Sequence, residues 1–181
     1  VINRIKELKP DVFGTQEGSI RQNEFIKEQL PEFDFYGTSR DEDKLGEMCP
    51  VFYNKNKFTL IDSKTFWLSE TPDVPSKSFG AHYPRICTYL ILKRKETDKQ
   101  FLVANVHLDH VKPKTREEQI KVAITQLSKH NLPIIIMGDF NSGFNTKPYK
   151  LLKKLGLYDT YMQNKGNPPR DSKILSFHGY T

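Results

Sequence analysis

Two apolar segments that end in polar side chains constrain the fold of this 181-residue chain most. They are FLVANVHLDH at positions 101–110 and PIIIMGDFN at positions 133–141. Each has the composition of a buried β-strand, and each delivers carboxylate, amide or imidazole groups at its C-terminal end. In layered α/β proteins, ligands collect at the C-terminal ends of strands. The helical pattern between the segments predicts that the two strand ends lie near each other.

The rest of the sequence predicts strands in pairs as well as helices. Strand-like runs separated by turn residues predict two hairpins, one with its turn at residues 54–57 and one with its turn at residues 95–99. Paired strands do not fit a sheet in which strands and helices alternate strictly, and a mixed sheet sandwich with helices outside fits better. The predicted strands are 11–15, 33–37, 48–53, 58–67, 85–93, 101–107, 133–139 and 174–177.

Apolar residues at helical spacing predict four helices. Ser19 is placed to cap the second helix, and Thr115 with Glu118 has the pattern of a capping box at the start of the third. Residues 164–171 are rich in proline and basic residues, which predicts a surface loop. The predicted helices are 1–9, 19–30, 115–130 and 147–155.

Composition favours a globular chain with a basic surface. Hydrophobic residues make up 36% of the chain and aromatic residues 12%, and no apolar run approaches the roughly 18 residues that span a bilayer. The formal charge of +6 and the pI of about 9.2 fit a phosphorylated or polyanionic partner, and they fit a solvated basic surface at least as well. Cys49 and Cys87 have no paired spacing, which predicts two buried free thiols. We expect a monomer.

The first residues show neither the basic region nor the apolar region of a signal peptide. The default expectation is therefore a cytoplasmic protein. The chain also starts without Met, so we expect its true N-terminus to be missing, and the compartment stays open.

Polar residues alternate along the strand predicted at 101–107. Asn105, His107 and Asp109 are two residues apart, so strand geometry places them on one face. Three polar groups on one face of an otherwise apolar strand are costly to bury without a function. A single histidine is more often structural, and the alternation is what favours a site.

Carboxylates follow two other predicted strands. Glu17 comes after strand 11–15, and the alternative is that it only begins a turn. Asp139 and Asn141 would share a face if their strand continued, and the alternative is a turn in which both bond their own backbone. Gly138 permits a close backbone approach just before Asp139.

Together these groups fit metal-assisted hydrolysis of a phosphate ester. Carboxylate and amide oxygens favour a hard cation, Mg²⁺ or Mn²⁺, over zinc. The reaction requires a metal to polarise the phosphoryl oxygen, a base to activate water and donors for the developing charge. We expect Glu17 to hold the metal and Asp139 to orient or deprotonate the water. We expect Asn141 and His107 to hold phosphate oxygens.

Three motifs occur along the chain in order: Gln16-Glu17, NVHLDH at 105–110 and GDFN at 138–141. In this order they resemble the endonuclease/exonuclease/phosphatase superfamily, which has the DNase I-like fold, and the resemblance covers nearly the whole chain. Further segments resemble a largely uncharacterised, bacterial-type branch of it: GE at 46–47, FWLSETP at 66–72, Arg85 and SFHG at 176–179.

The resemblance implies an α+β fold, a four-layer α/β/β/α sandwich with the site at one mouth, formed by residues 1–181 as a single domain. It implies catalytic roles for His107, Asp139 and Asn141, and a metal site with Glu17 and, less directly, Glu47. The residues it implies for substrate binding are Asn105, Arg85, Asp109, Trp67 and His178. The alternatives are a surface salt bridge for Arg85, a core aromatic for Trp67 and a structural residue for His178.

Two elements of the superfamily pattern are missing from this sequence. The superfamily pattern begins with a strand carrying an Asn beside the metal, and it ends with an Asp and then a Ser-Asp-His segment that supplies a catalytic histidine. The chain starts after the first and stops before the second, and His178 lies too early to be that histidine. We therefore expect a chain that is incomplete at both ends, lacks terminal strands and has little or no activity alone.

The predicted function is a divalent-metal phosphoesterase that hydrolyses a phosphodiester or a phosphomonoester. A nuclease would use the basic surface, whereas the loop at 68–83, with its aromatic residues, would close over a small sugar phosphate. The alternative class is a binding protein that keeps the fold without catalysis, or an inactive fragment. The retained acidic and imidazole groups argue against that alternative.

Overall fold

The computed structural model describes residues 1–160. Three expectations lie outside the described residues: the surface loop at 164–171, the strand at 174–177 and the role of His178. Within residues 1–160, no helix is both long enough and apolar enough to cross a membrane.

The strands form two sheets. The smaller sheet has the strand order β1-β3-β2, and both of its pairs are antiparallel; its strands are β1 (Val12–Gly14), β2 (Phe33–Tyr36) and β3 (Val51–Asn54). The larger sheet has the order β4-β5-β6-β7, and β6 and β7 run parallel while the other pairs are antiparallel. Its strands are β4 (Phe58–Trp67), β5 (Ile86–Arg94), β6 (Gln100–His107) and β7 (Ile134–Asp139).

Helices cover the outer face of each sheet. The helices α1 (Ile2–Leu8) and α2 (Ile20–Gln29) pack on the smaller sheet, and α3 (Pro113–Leu127) and α4 (Lys147–Lys154) pack on the larger one. A third apolar cluster fills the space between the two sheets. Three buried interfaces separate four layers, so the predicted α/β/β/α sandwich is confirmed.

One predicted hairpin is confirmed and the other is wrong. The strands β5 and β6 pair antiparallel across the turn at 95–99. The strands β3 and β4 lie in different sheets, and the turn at 54–57 carries the chain from one sheet to the other. Burial accounts for the crossing, because Tyr53 and Phe58 both enter the core between the sheets, each from its own sheet.

The two predicted helix caps have different outcomes. Ser19 caps α2: its Oγ accepts the N–H of Gln22 at 3.4 Å, and Gln22 Oε1 accepts the N–H of Ser19 at 2.8 Å. The capping box predicted at Thr115 is wrong, because α3 begins two residues earlier with Pro113 in its first turn. The buried Thr115 hydroxyl instead donates to the carbonyl of Phe79 at 2.7 Å, which ties the loop at 68–83 to α3.

The burial of β7 differs from the expectation of a fully buried strand. Ile134 and Ile136 pack on the core beneath α3. Ile135 lies on the opposite face and is 53% exposed. Among residues 1–160, β7 is the outermost strand of the larger sheet, so one of its faces is only partly covered.

The two cysteines are buried free thiols, as predicted. Burial raises the pKa of both Cys49 and Cys87. Neither is a ready nucleophile at neutral pH, because the thiolate is the reactive form.

Candidate active site

Alternation along β6 turns Asn105 and His107 toward the smaller sheet, so the predicted shared face is confirmed for these two residues. The strand ends at His107, so strand alternation does not extend to Asp109, the third residue of that prediction. Asn105 is fully buried and joins the two sheets. Its Nδ2 donates to the carbonyls of Thr15 at 2.9 Å and Pro50 at 2.7 Å, and its Oδ1 accepts from Gln16 Nε2 at 2.8 Å. These bonds use the polar atoms of Asn105 inside the protein and hold the end of β1 beside His107.

The chain turns immediately after Asp139, at the end of β7. Asn141 has a φ of 44°, and its N–H donates to Asp139 Oδ1 at 2.8 Å. The Asn141 side-chain amide donates to the carbonyl of Leu108 at 2.9 Å, and the N–H of Leu108 donates to the carbonyl of Asp139 at 2.9 Å. The prediction that strand alternation continues and places Asp139 and Asn141 on one face is therefore wrong. A turn brings both residues to the end of β6.

Gly138 allows β7 to lie close against β6 just before Asp139. Its φ is +131°, and a Cβ at this position would lie 2.0 Å from the carbonyl oxygen of Val106. We expect Gly138→Ala to lower the free energy of unfolding by at least about 2 kcal/mol, because backbone strain and the clash both oppose the native packing. Denaturant unfolding measures the change. Gly143→Ala is the matched control, since its Cβ would have no neighbour within 4 Å, and equal losses in the two variants would contradict the close approach.

Two carboxyl groups converge on His107 from different sheets. His107 Nε2 lies 3.9 Å from Glu17 Oε1 and 3.9 Å from Asp139 Oδ2. The side chains of Glu17 and Asp139 are 64% and 51% exposed, whereas that of His107 is 8% exposed. Burial, followed by the positive charge of Arg85, lowers the pKa of His107 to about 4. The site therefore presents a neutral imidazole at pH 7 between two accessible carboxyl groups.

A small cavity beside His107 contains two arginines. Arg85 is 5% exposed, one of its terminal nitrogens lies 3.1 Å from His110 Nδ1, and its Nε has no partner within residues 1–160. The Nε of Arg40 is likewise buried without a hydrogen-bond partner in that part of the chain, and Asp41 Oδ2 lies 3.7 Å from it. The burial of Arg85 excludes a surface salt bridge. Polar lining comes from Arg40, Arg85, Glu47 and His107, and apolar lining from Met48, Cys49, Pro84 and Ile86.

Arg40 is held from three sides. It donates to Glu47 Oε2 at 2.6 Å, its guanidinium carbon lies 4.8 Å from the centroid of the Tyr83 ring, and its carbonyl accepts from Trp67 Nε1 at 2.7 Å. Glu47, expected as a metal ligand, is thus paired with Arg40. Trp67, expected to bind substrate, contacts the backbone of Arg40 and does not line the cavity. Sequence reasoning missed Arg40 because it begins the charged segment 40–46, where no local pattern distinguishes it.

Asp109 is fully buried and contacts backbone groups. Its Oδ2 accepts the N–H of His82 at 3.0 Å, and its Oδ1 accepts the N–H groups of Val111 at 2.9 Å and Lys112 at 2.8 Å. Burial by itself would raise the pKa of Asp109, but these three N–H groups outweigh burial and lower it. Asp109 therefore connects the segment that leads to Arg85 with the start of α3.

The oxygen donors at this site fit a cation such as Mg²⁺. Residues 1–160 contain no group of three or more His, Cys, Asp or Glu side chains placed to hold a metal. Glu17 and Asp139 nevertheless offer two accessible carboxyl groups, and Mg²⁺ is commonly held by one or two carboxylates together with water and substrate phosphate. This donor set fits a hard cation that is shared with substrate, and it does not fit a structural zinc site.

Comparison with known sequences places the chain in a family. The sequence profile of the Endonuclease/Exonuclease/phosphatase family matches residues 1–180. The chain belongs to this family, and the resemblance inferred from the three ordered motifs is confirmed.

The relatives of this chain include a phosphatase and an exoribonuclease. The chain is 30% identical over 158 residues to uncharacterized protein L388 of Acanthamoeba polyphaga mimivirus, and the alignment covers 78% of this chain and 57% of that protein. It is 23% identical over 226 residues to the CCR4-Not complex 3'-5'-exoribonuclease subunit Ccr4 of Emericella nidulans, and this alignment covers 89% of this chain and 33% of that protein. The structure of mannosyl-6-phosphatase Bt3783 from Bacteroides thetaiotaomicron VPI-5482 matches with a TM-score of 0.82 and 38% identity, covering 86% of this chain and 60% of that one. The chain thus spans about a third to three fifths of the length of these relatives.

Proposed function

We propose that the protein carrying this chain is a divalent-metal-dependent phosphoesterase. The observation that carries the proposal is the convergence of Glu17 and Asp139 on a neutral His107 beside the buried arginine cavity. Phosphate-ester hydrolysis requires a ligand for a hard cation, a base for the attacking water, and donors for the phosphate oxygens. One carboxylate can serve the first role, the other the second, and the imidazole and guanidinium groups the third. The family and its phosphatase and exoribonuclease members support the same class of reaction.

Asp139 is the proposed base in this reaction. The N–H of Asn141 fixes Oδ1, so Oδ2 remains directed toward His107 and accepts a proton from the attacking water. The water oxygen bonds to phosphorus, the ester P–O bond breaks, and the leaving alcohol takes up a proton from solvent. His107 and Arg85 donate hydrogen bonds to the phosphate oxygens. Mg²⁺ or Mn²⁺ held by Glu17 would polarise the phosphoryl oxygen.

Two substrate classes are compatible with this centre. The net charge of +6 supports a nucleic acid, as does the similarity to an exoribonuclease. The higher identity to a mannosyl-6-phosphatase supports a small phosphorylated sugar. A binding protein without catalysis is the alternative outside the enzymes, and the accessible carboxyl groups beside His107 oppose it.

Two chromogenic esters test the proposal. We expect the longest natural form of the protein to release p-nitrophenol from p-nitrophenyl phosphate, from bis-p-nitrophenyl phosphate or from both when Mg²⁺ or Mn²⁺ is present. We expect EDTA to abolish the release and added Mg²⁺ to restore it, because the developing phosphate charge requires the cation. Turnover of neither ester with either cation would refute the enzyme and favour the binding protein.

A further inference from the structure

We propose that helix α4 and the turn before it form a docking surface for single-stranded nucleic acid, on the outer helical layer of the larger sheet. Three observations carry the proposal. Positive charge is concentrated in this segment, its lysines lie on the exposed side of a packed helix, and an aromatic pair lies beside them. The proposal goes beyond the proposed function, because binding on this surface requires neither a cation nor cleavage of an ester.

The net charge of the chain is unevenly distributed. Residues 1–139 contain 21 basic and 20 acidic residues and are almost neutral, whereas residues 140–181 contain seven basic and two acidic residues. The last part of the sequence therefore carries a net charge of +5, out of +6 for the whole chain. Within it, residues 140–158 include four lysines and no acidic residue. Such asymmetry is typical of a chain that binds a polyanion.

The four lysines belong to α4. Lys147 pairs with Glu117 at 3.2 Å, and its side chain is 78% exposed. Lys150, Lys153 and Lys154 are exposed and form no ion pair within residues 1–160. Because Lys147, Lys150 and Lys154 are spaced by three and four residues, they form a stripe about 10 Å long on the helix surface. This stripe presents ammonium groups to successive phosphates of one strand.

An aromatic pair lies at the start of this stripe. Phe144 is 57% exposed, and its ring makes an edge contact with the ring of Tyr149 at a centroid distance of 5.8 Å. Lys153 Nζ lies 6.0 Å from the centroid of the Tyr149 ring. Aromatic rings among basic groups bind unpaired bases by stacking, because every base has a π face. A single strand offers such bases, whereas the bases of a duplex are already stacked.

An anionic membrane is the other polyanion that a basic amphipathic helix binds. Such a helix inserts its apolar side into the lipid. The apolar side of α4, with Leu151 and Leu152, already packs on the core beside Ile120 of α3, so it is not available for insertion. Nucleic acid requires no insertion. The surface also begins three residues after Asn141, which places a bound strand near the candidate active site.

Binding of fluorescein-labelled oligo(dT) tests the lysines. We expect the longest natural form to bind it in EDTA, and to bind it more tightly than an oligo(dA)·oligo(dT) duplex. We expect Lys150→Gln/Lys154→Gln to weaken this binding at least about fivefold and to reduce the slope of log Kd against log salt by about 1.4, because two phosphate contacts are lost. Fluorescence anisotropy measures both quantities. Lys95→Gln/Lys99→Gln is the matched control, since it removes the same charge from the exposed turn between β5 and β6.

Phe144→Ala tests the aromatic contact. We expect it to weaken oligo(dT) binding by about 5- to 100-fold, the effect of losing one stacked base. The salt slope stays at its wild-type value, because no charge is removed. Phe25→Ala is the matched control, since Phe25 is 54% exposed on α2, over the other sheet. Equal affinities in these two variants would overturn the stacking role.

Two further results would overturn the docking surface itself. One is equal oligo(dT) affinity in the two lysine double variants. The other is an absence of oligo(dT) binding at low salt, with binding to phosphatidylserine vesicles that depends on Lys150 and Lys154; the partner would then be a membrane. The proposed function is decided separately by turnover of the p-nitrophenyl esters. Loss of oligonucleotide binding with unchanged ester turnover in Lys150→Gln/Lys154→Gln would support a surface that is distinct from the catalytic centre.

Discussion

We expect Asp139→Asn to lower kcat for phosphate-ester hydrolysis by about 10²- to 10⁴-fold, the effect of removing a positioned base. Asparagine keeps a carbonyl oxygen that can accept the N–H of Asn141, so the turn after β7 persists. The charge that takes up the water proton is lost. We expect KM to change little, because Arg85 and His107, the residues proposed to bind the phosphate oxygens, are retained. Steady-state kinetics in Mg²⁺ measure the change.

Asp98→Asn is the control for the Asp139 variant. Asp98 lies in the turn between β5 and β6, pairs with Lys93 at 2.8 Å and has a side chain that is 78% exposed. We expect Asp98→Asn to retain wild-type kcat and both variants to unfold cooperatively in denaturant. Wild-type kcat in Asp139→Asn would refute the assignment of the base, because the carboxylate would then have no part in the reaction.

We expect Asp109→Ala to lower the free energy of unfolding by about 1–3 kcal/mol, because it removes the acceptor of three partly buried N–H groups. The loss also frees the segment from His82 to Arg85 from the start of α3. We therefore propose Asp109 as a positioning residue, whose removal raises KM through displacement of Arg85. Denaturant unfolding and steady-state kinetics measure the two effects.

Asp109→Asn separates positioning from charge. The single amide oxygen of asparagine can accept either the N–H of His82 or the N–H groups of Val111 and Lys112. We therefore expect a free energy of unfolding and a KM between those of wild type and Asp109→Ala. A KM equal to wild type in both variants would contradict the positioning role, even if stability fell. Asp98→Asn serves again as the exposed control.

The lowered pKa of Asp109 leads us to expect that the stability of the protein depends on pH. The pKa of Asp109 is lowered from 3.8 in the folded protein. Its contribution to the free energy of unfolding is therefore complete at pH values above the pKa of the unfolded chain, and it is lost as the pH falls through the pKa of the folded protein. We expect the wild type to lose stability below about pH 3.8 more steeply than Asp109→Asn does. Equal slopes in denaturant unfolding at several acidic pH values would contradict this contribution.

The elements of the fold were predictable because their signals are local. The isoleucines of β7, the alternation along β6 and the cap at Ser19 are each read within a few residues. The assignment of β3 and β4 to different sheets was not predictable in this way. It depends on which core Tyr53 and Phe58 enter, and that choice is made by side chains from distant strands.

The residues of the candidate site likewise differ in whether a local sequence pattern predicts them. Glu17, His107 and Asp139 stand at strand ends, where a sequence pattern alone indicates chemistry. Arg40 has no such pattern, because its contacts with Tyr83 and Trp67 join residues far apart in the chain.

The sequence by itself therefore determined the layered fold, the family and the strand-end residues, since periodicity and ordered motifs are properties of the chain. Only the tertiary structure decided that Asp109 bonds to backbone N–H groups and that Arg40 and Arg85 line one small cavity. Burial, charge pairing and hydrogen-bond direction depend on neighbours that folding brings together. No local pattern contains them.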